Sequence, residues 1–186
     1  NIFVPNSVYG SFEEISLLIL EKLYSIKKEW GVSELIHELG NHVTDEHSIL
    51  YQATKNNIPI FCPAITDGAL GLQMYFFKQK HPDFKVEVTS DMSRLFGSVM
   101  DASKVGCIVL GGGVAKHHAI LANLLRDGMD YAVYMTTAHS HAGSLSGATT
   151  SEAKSWGKIK GEGDAITVIG DVSVNFPLVM GRVLDG

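Results

Sequence analysis

Short apolar runs alternating with helix-patterned segments constrain this chain more than any other feature. IPIFC (58–62), KVEV (85–88), GCIVL (106–110), YAVYM (131–135) and ITVIG (166–170) have the length and residue types of strands. Helical patterning lies between them near 68–79, 91–103, 114–127 and 151–159, and again near 172–185, where Pro177 is a possible break. Strands alternating with helices imply a parallel sheet, and continuous apolar strands imply cover on both faces. The expected fold class is α/β: a doubly wound, mostly parallel sheet with helices on both faces. Ahead of it, Ser11-Phe12-Glu13-Glu14 has the form of a capping box for a helix near 12–29, with apolar positions at Ile15, Leu18, Ile19 and Leu23. Short helices are expected near 33–39, stopped by Gly40, and near 45–56, started by Thr44.

Composition narrows the function classes. The 186 residues are 45% hydrophobic and 19% charged, enough to build the core of one domain. Net charge is −5, and no basic tract exceeds the pair Lys27-Lys28, so there is no electrostatic basis for nucleic-acid binding. No run approaches the roughly 18 apolar residues of a membrane span. Cys62 and Cys107 both lie in apolar runs and read as reduced core thiols, which suits a cytoplasmic protein.

In parallel α/β folds, ligands bind beyond the carboxyl ends of the strands. The segments to consider are therefore 63–67, 111–113, 136–147 and 170–171. Gly111-Gly112-Gly113 follows a strand and precedes a helix, where a phosphate can approach the backbone, although a plain tight turn has the same form. No G-x-G-x-x-G is present. Asp67 and Asp171 follow strands and could accept ribose hydroxyls or an ammonium; helix capping is the commoner use. His117 could move a proton at a strand end, or the pair His117-His118 could be one buried and one solvated residue. His139 and His141, two apart in a loop, are weak metal evidence, and no metal is expected.

The stretch TTSEAKSWGKI (149–159) carries the second candidate chemistry. Glu152 and Trp156 fall on one helical face, and a carboxylate beside an aromatic face binds amines. A core tryptophan and a helix-terminal carboxylate would look the same. Lys158 follows closely. An imine-forming lysine attacks as the neutral amine, a form that apolar surroundings or a like charge such as Lys154 favour. On spacing alone, a solvated lysine at a helix C-terminus is the commoner arrangement.

These residues, with NIFVPN, PAITDGALG, VLGGGVAKHHAILAN, DYAVYMTTA, SGATTSEAKSWGKI and FPLV in order, resemble the deoxyhypusine synthase family. The resemblance implies a Rossmann-like fold and an NAD-dependent reaction. Spermidine is oxidised and cleaved, and its aminobutyl group is carried as an imine on an enzyme lysine. The group then passes to a lysine of the translation initiation factor 5A precursor. It assigns Lys158 as the nucleophile and His117 to proton handling. Glu152, Trp156, Gly143 and Ser144 are placed on the amine side. Asp67, Gly111, Gly112, Gly113, Thr137, Ala138, Asp171 and Val172 are placed near NAD.

The resemblance covers the whole chain but only about the C-terminal half of a family subunit, a single NAD-binding domain. It therefore implies a separate N-terminal chain, a tetramer-like assembly with sites between subunits, and a cleavage point at Asn1; a deletion is the alternative. Animal family members carry aspartates where this chain has Leu72, Ala142 and Leu145, which puts the amine substrate in question. Two other readings follow: a non-catalytic subunit, and a homospermidine synthase-like activity with putrescine as acceptor.

Overall fold

The computed structural model describes residues 3–186. The chain divides into two compact units, Asn1–Asp91 and Met92–Gly186, each with its own core.

The first unit opens with helix α1 (Asn6–Ile26), followed by strand β1 (Glu29–Gly31) and helices α2 (Val32–Gly40), α3 (Ile49–Lys55) and α4 (Ala69–Lys80). Strand β2 (Lys85–Glu87) pairs in parallel with β1, and helix α5 (Ser90–Asp101) begins at the end of the unit. Its core is Leu20, Leu23, Trp30, Leu35, Phe77 and Phe84, fully or nearly fully buried. Three expectations change here. Helix α1 starts at Asn6, directly after Pro5, whose fixed φ suits a helix entry. Ser11 therefore lies inside the helix and its hydroxyl donates to the Ser7 carbonyl instead of capping. IPIFC joins no strand ladder among the described residues; Ile60 and Cys62 pack on the core from an irregular segment. The helix expected to reach residue 29 stops at Ile26, and the chain turns extended at Lys27 to enter β1.

The second unit is a three-stranded parallel sheet in the order β3-β4-β5. The chain runs β3 (Gly106–Leu110), helix α6 (Val114–Leu121), β4 (Met129–Thr136), helix α7 (Thr150–Ser155), β5 (Ile159–Ile169) and helix α8 (Val172–Leu184). Parallel strands need crossovers, and α6 and α7 supply them. Ile120, Met129, Ala132, Tyr134, Ala153 and Ile159 form the core. The expected α/β class, parallel strands flanked by helices, is the one observed, with the strands divided between two sheets.

Boundaries shift where local chemistry overrides periodicity. Strand β5 begins seven residues before ITVIG, because KGEGDA is polar and still pairs with β4, Lys160 closing onto Asp130 at 2.6 Å. Helix α6 ends at Leu121; a 3-10 turn at Leu124–Arg126 and left-handed Asp127 complete the connection. Helix α7 ends at Ser155 because Gly157 turns left-handed. Pro177 does not break α8, which continues through it to Leu184. Among the described residues, no helix is long and apolar enough to cross a membrane.

Candidate active site

The carboxyl edge of the second sheet gathers one set of candidates. Leu110 pairs with Met135, and Thr136 with Ile169, so the segments leaving β3, β4 and β5 emerge side by side. Gly111 donates its N–H to the Met135 carbonyl at 2.8 Å, and Gly170 donates to the Thr136 carbonyl at 2.9 Å. Gly111, Gly112, Gly113, Thr137, Ala138, Asp171 and Val172 are thereby brought to one edge. The triple glycine is not redundant. Gly111 and Gly113 have φ of 89° and 95°, which favour glycine, and open space where a side chain would lie. Gly112 is needed for room: a Cβ there would stand 2.5 Å from the Cα of Ser146.

Thr136 is buried and its hydroxyl accepts from the Ala138 N–H at 3.1 Å, which fixes the departure of the chain at Thr137. Asp171 caps α8, one carboxylate oxygen accepting from the Ser173 N–H at 2.7 Å. Capping is thus at least part of its role. Helix α6 starts at the glycines with no side-chain cap, and exposed His117 sits in its first turn. His118 is half-buried, so the expected buried-and-solvated split is not seen in full. Asp67 lies in the first unit, exposed, in a turn where its N–H donates to Ala64 at 2.9 Å.

A loop runs from Thr137 to Thr149. His139 and His141 stand with parallel rings 6.1 Å apart, and no metal-binding group of side chains occurs among the described residues. Gly143 and Ser144 are exposed at its middle. Leu145 is half-buried, Ala142 is exposed, and Leu72 lies in α4 of the first unit, so none of the three supplies a carboxylate.

What sequence reasoning missed is Lys116. It is 3% exposed, and its ammonium donates to the carbonyls of Leu145 at 3.0 Å and Ala148 at 2.7 Å. It also stands 4.3 Å above the Tyr134 ring. Burial lowers its proton affinity, and the nearby Glu152 carboxylate opposes that shift. The motif letter between GGGVA and HH was its only signal. Cys107, on the adjoining strand, has a thiol pushed up by burial, the opposite of a reactive cysteine.

The second set lies on α7 and just after it. Thr149 caps the helix in reciprocal fashion: its hydroxyl accepts from the Glu152 N–H at 3.3 Å, and Glu152 Oε2 accepts from the Thr149 N–H at 3.1 Å. The Glu152 side chain is therefore oriented before any ligand arrives. Trp156 is 43% exposed, which rules out the core-tryptophan reading. Lys158 is 9% exposed, which rules out the solvated-lysine reading. Its Nζ lies 4.9 Å from the Trp156 ring centroid. Its backbone is held on both sides, N–H to Ala153 at 2.9 Å and carbonyl to the Met129 N–H at 3.0 Å. Lys154 contributes no like charge there, because its ammonium turns to the Gly161 carbonyl at 2.9 Å.

The backbone of Lys158 and the glycine turn stand at opposite ends of the strands. Lys158 is anchored at Met129, at the start of β4, whereas Gly111 is anchored at Met135. Six residues of strand span roughly 20 Å, beyond the reach of a lysine side chain.

A parallel α/β layout, with a glycine turn at one end of the strands and the backbone of a buried lysine at the other, defines a Rossmann-like protein. The family model described as deoxyhypusine synthase matches residues 1–183. A relative from Thermoplasma volcanium named "Probable deoxyhypusine synthase" is 49% identical over 99% of this chain and 60% of its own length. One of the same name from Drosophila melanogaster is 43% identical over 98% of this chain and 50% of its own. Candida glabrata "Deoxyhypusine synthase" is 41% identical over 97% and 52%. A crystal structure from Entamoeba histolytica, assigned provisionally to deoxyhypusine synthase, superimposes with a TM-score of 0.75 at 28% identity, covering 96% of this chain and 56% of that one. The chain belongs to the deoxyhypusine synthase family. It spans about half to three-fifths of the length of these relatives.

Proposed function

We propose that this chain is the part of a deoxyhypusine synthase that carries the reactive lysine, acting as an aminobutyltransferase from spermidine to a lysine of the translation initiation factor 5A precursor. The observation that carries this reading is Lys158: a buried lysine, its backbone hydrogen-bonded on both sides, with Nζ 4.9 Å from the ring of exposed Trp156. A lysine with only a structural role needs no exposed aromatic partner.

The carboxyl edge fits NAD. Left-handed Gly111 and Gly113 leave open space, and the uncapped first turn of α6 offers free N–H groups to a phosphate. When bound, NAD would accept and return a hydride. The chain's own residues do the rest. Glu152 and the Trp156 face hold a cationic amine by charge and cation–π attraction. Lys158 Nζ, as the neutral amine, attacks the oxidised carbon, 1,3-diaminopropane leaves, and the four-carbon unit stays on Lys158 as an imine. The acceptor lysine displaces Lys158, whose burial keeps water from hydrolysing the imine. His117, exposed in the first turn of α6, is the proton carrier on the glycine side.

Because Lys158 and the glycine turn lie at opposite ends of one sheet, a site that uses both draws them from two copies. This supports a tetramer-like assembly with sites between subunits. The missing carboxylates at Leu72, Ala142 and Leu145 favour one second reading, a non-catalytic subunit of such a complex.

Imine trapping separates the two. The assembled complex is incubated with spermidine and NAD, reduced with cyanoborohydride and digested. The proposal expects an aminobutyl adduct on Lys158, lost in Lys158→Ala. An unmodified Lys158 peptide in a complex with NAD bound would assign the chain to the non-catalytic role.

A further inference from the structure

Lys116 takes no part in the chemistry above, yet it is the most completely enclosed cation among the described residues of the second unit. Its three N–H donors are accounted for by the Leu145 carbonyl, the Ala148 carbonyl and the face of Tyr134. Those carbonyls bracket the 3-10 turn Leu145–Gly147, which connects exposed Ser144 to the Thr149 cap of α7. Lys116 itself belongs to α6, which starts at the triple glycine. Close packing of Gly112 on Ser146 makes a second contact between the same two segments. A buried ammonium is costly unless its donors are satisfied, and here two of the partners are backbone carbonyls of the loop. Removing the ammonium leaves two buried carbonyls unpaired and frees the loop.

We propose that Lys116 is a positioning residue for the amine side of the site: it pins the loop 144–148 to the glycine-turn helix and so sets where Ser144 and Glu152 stand. The proposal rests on the aminobutyltransferase reading for its kinetic consequence and on geometry alone for its structural one. It predicts selectivity. Loss of the pin weakens the amine site, whereas the left-handed glycines, whose conformation comes from their own backbone, keep the NAD side intact.

The test uses the complete assembled enzyme, wild type and Lys116→Met. In the variant, KM for spermidine rises at least about tenfold while KM for NAD moves by no more than about twofold. Equal losses for both ligands, or an unchanged spermidine KM, overturn the proposal. Hydrogen exchange on the wild type covers the case in which the variant does not fold. The N–H groups of Gly147 and Ala148, bonded to Ser144 and Leu145, must be protected well above the exposed segment 139–143; exchange as fast as that segment overturns the pin. The exchange readout needs no turnover. An enzyme that does not cleave spermidine would therefore sink the functional reading and leave Lys116 to be decided on exchange.

Discussion

The carboxylate of Asp91 closes the amino end of helix α2, accepting from the N–H of Ser33, 58 residues before it, at 2.9 Å and from the Ser33 hydroxyl at 2.7 Å. Both residues are buried. A cap normally comes from the residue just before a helix, but here that residue is Gly31, which has no side chain to offer. Asp91→Ala leaves a buried N–H and hydroxyl without their acceptor and is expected to cost about 1–3 kcal/mol. Urea unfolding of the variant, followed by circular dichroism, checks this; a midpoint equal to wild type would show that water replaces the carboxylate.

The three glycines after β3 should respond differently to alanine. Gly111→Ala meets no neighbour but forces a left-handed backbone on an L-residue, at about 1–2 kcal/mol. Gly112→Ala has no comparable backbone strain and instead drives a methyl into the Ser146 backbone. Exchange at residues 145–148 is the discriminating measurement: it accelerates in Gly112→Ala and stays at wild-type rates in Gly111→Ala.

Asp130 ties the start of β4 together, accepting from Lys160 at 2.6 Å, Arg126 at 3.0 Å and the Val105 N–H at 2.8 Å. These bonds, that from Lys160 foremost, hold its carboxyl well below the usual carboxylate range. A carboxyl whose folded-state value is depressed stabilises the fold above its unfolded value of about 4, and that stabilisation is lost as the pH falls through the lower, folded value. Asp130→Asn should therefore be less stable than wild type at pH 7, with the gap closing in strong acid. Parallel unfolding curves at neutral and acid pH read it, and a gap of constant size would remove Asp130 from the acid response.

Tyr134 is fully buried with no partner for its hydroxyl among the described residues, and burial pushes its phenol up to about 12. A phenol raised in this way supports the fold below its unfolded value of about 10 and loses that support as the pH rises through the folded one. Tyr134→Phe removes an unsatisfied oxygen and keeps the ring under Lys116, so neutral-pH stability should change by less than about 1 kcal/mol. Absorbance titration of the folded protein should lose one late-titrating phenol in the variant. A large destabilisation would mean that the hydroxyl has a partner.

Much of this architecture is legible in the sequence, and the losses have identifiable causes. GCIVL and YAVYM are strands because their apolar residues are consecutive and bounded by glycine or charge. IPIFC has the same composition and is not, since packing Ile60 and Cys62 onto a core needs no ladder. The first half of β5 is hidden because Lys160, Glu162 and Asp164 carry no apolar signal, its pairing being set by β4. For the site, the carboxyl-edge residues follow from the rule that parallel strands present their ends together. The burial of Lys158 and the exposure of Trp156 invert what helix spacing alone suggests, because both depend on Gly157 turning the chain. Lys116 escapes notice because its partners are main-chain oxygens, which leave no trace in side-chain patterns.

The length of β4 has a genetic consequence. On the proposed two-copy site, with Lys158 anchored at one end of the strands and the glycine turn at the other, a lesion in either feature spoils the site that takes it from that copy and leaves the copy's other contribution intact. A chain lacking Lys158 and a chain with a crippled glycine turn, expressed together, can each lend the part the other has lost. Two inactive alleles of this kind would then complement one another in mixed assemblies, whereas two alleles damaged at the same end would not.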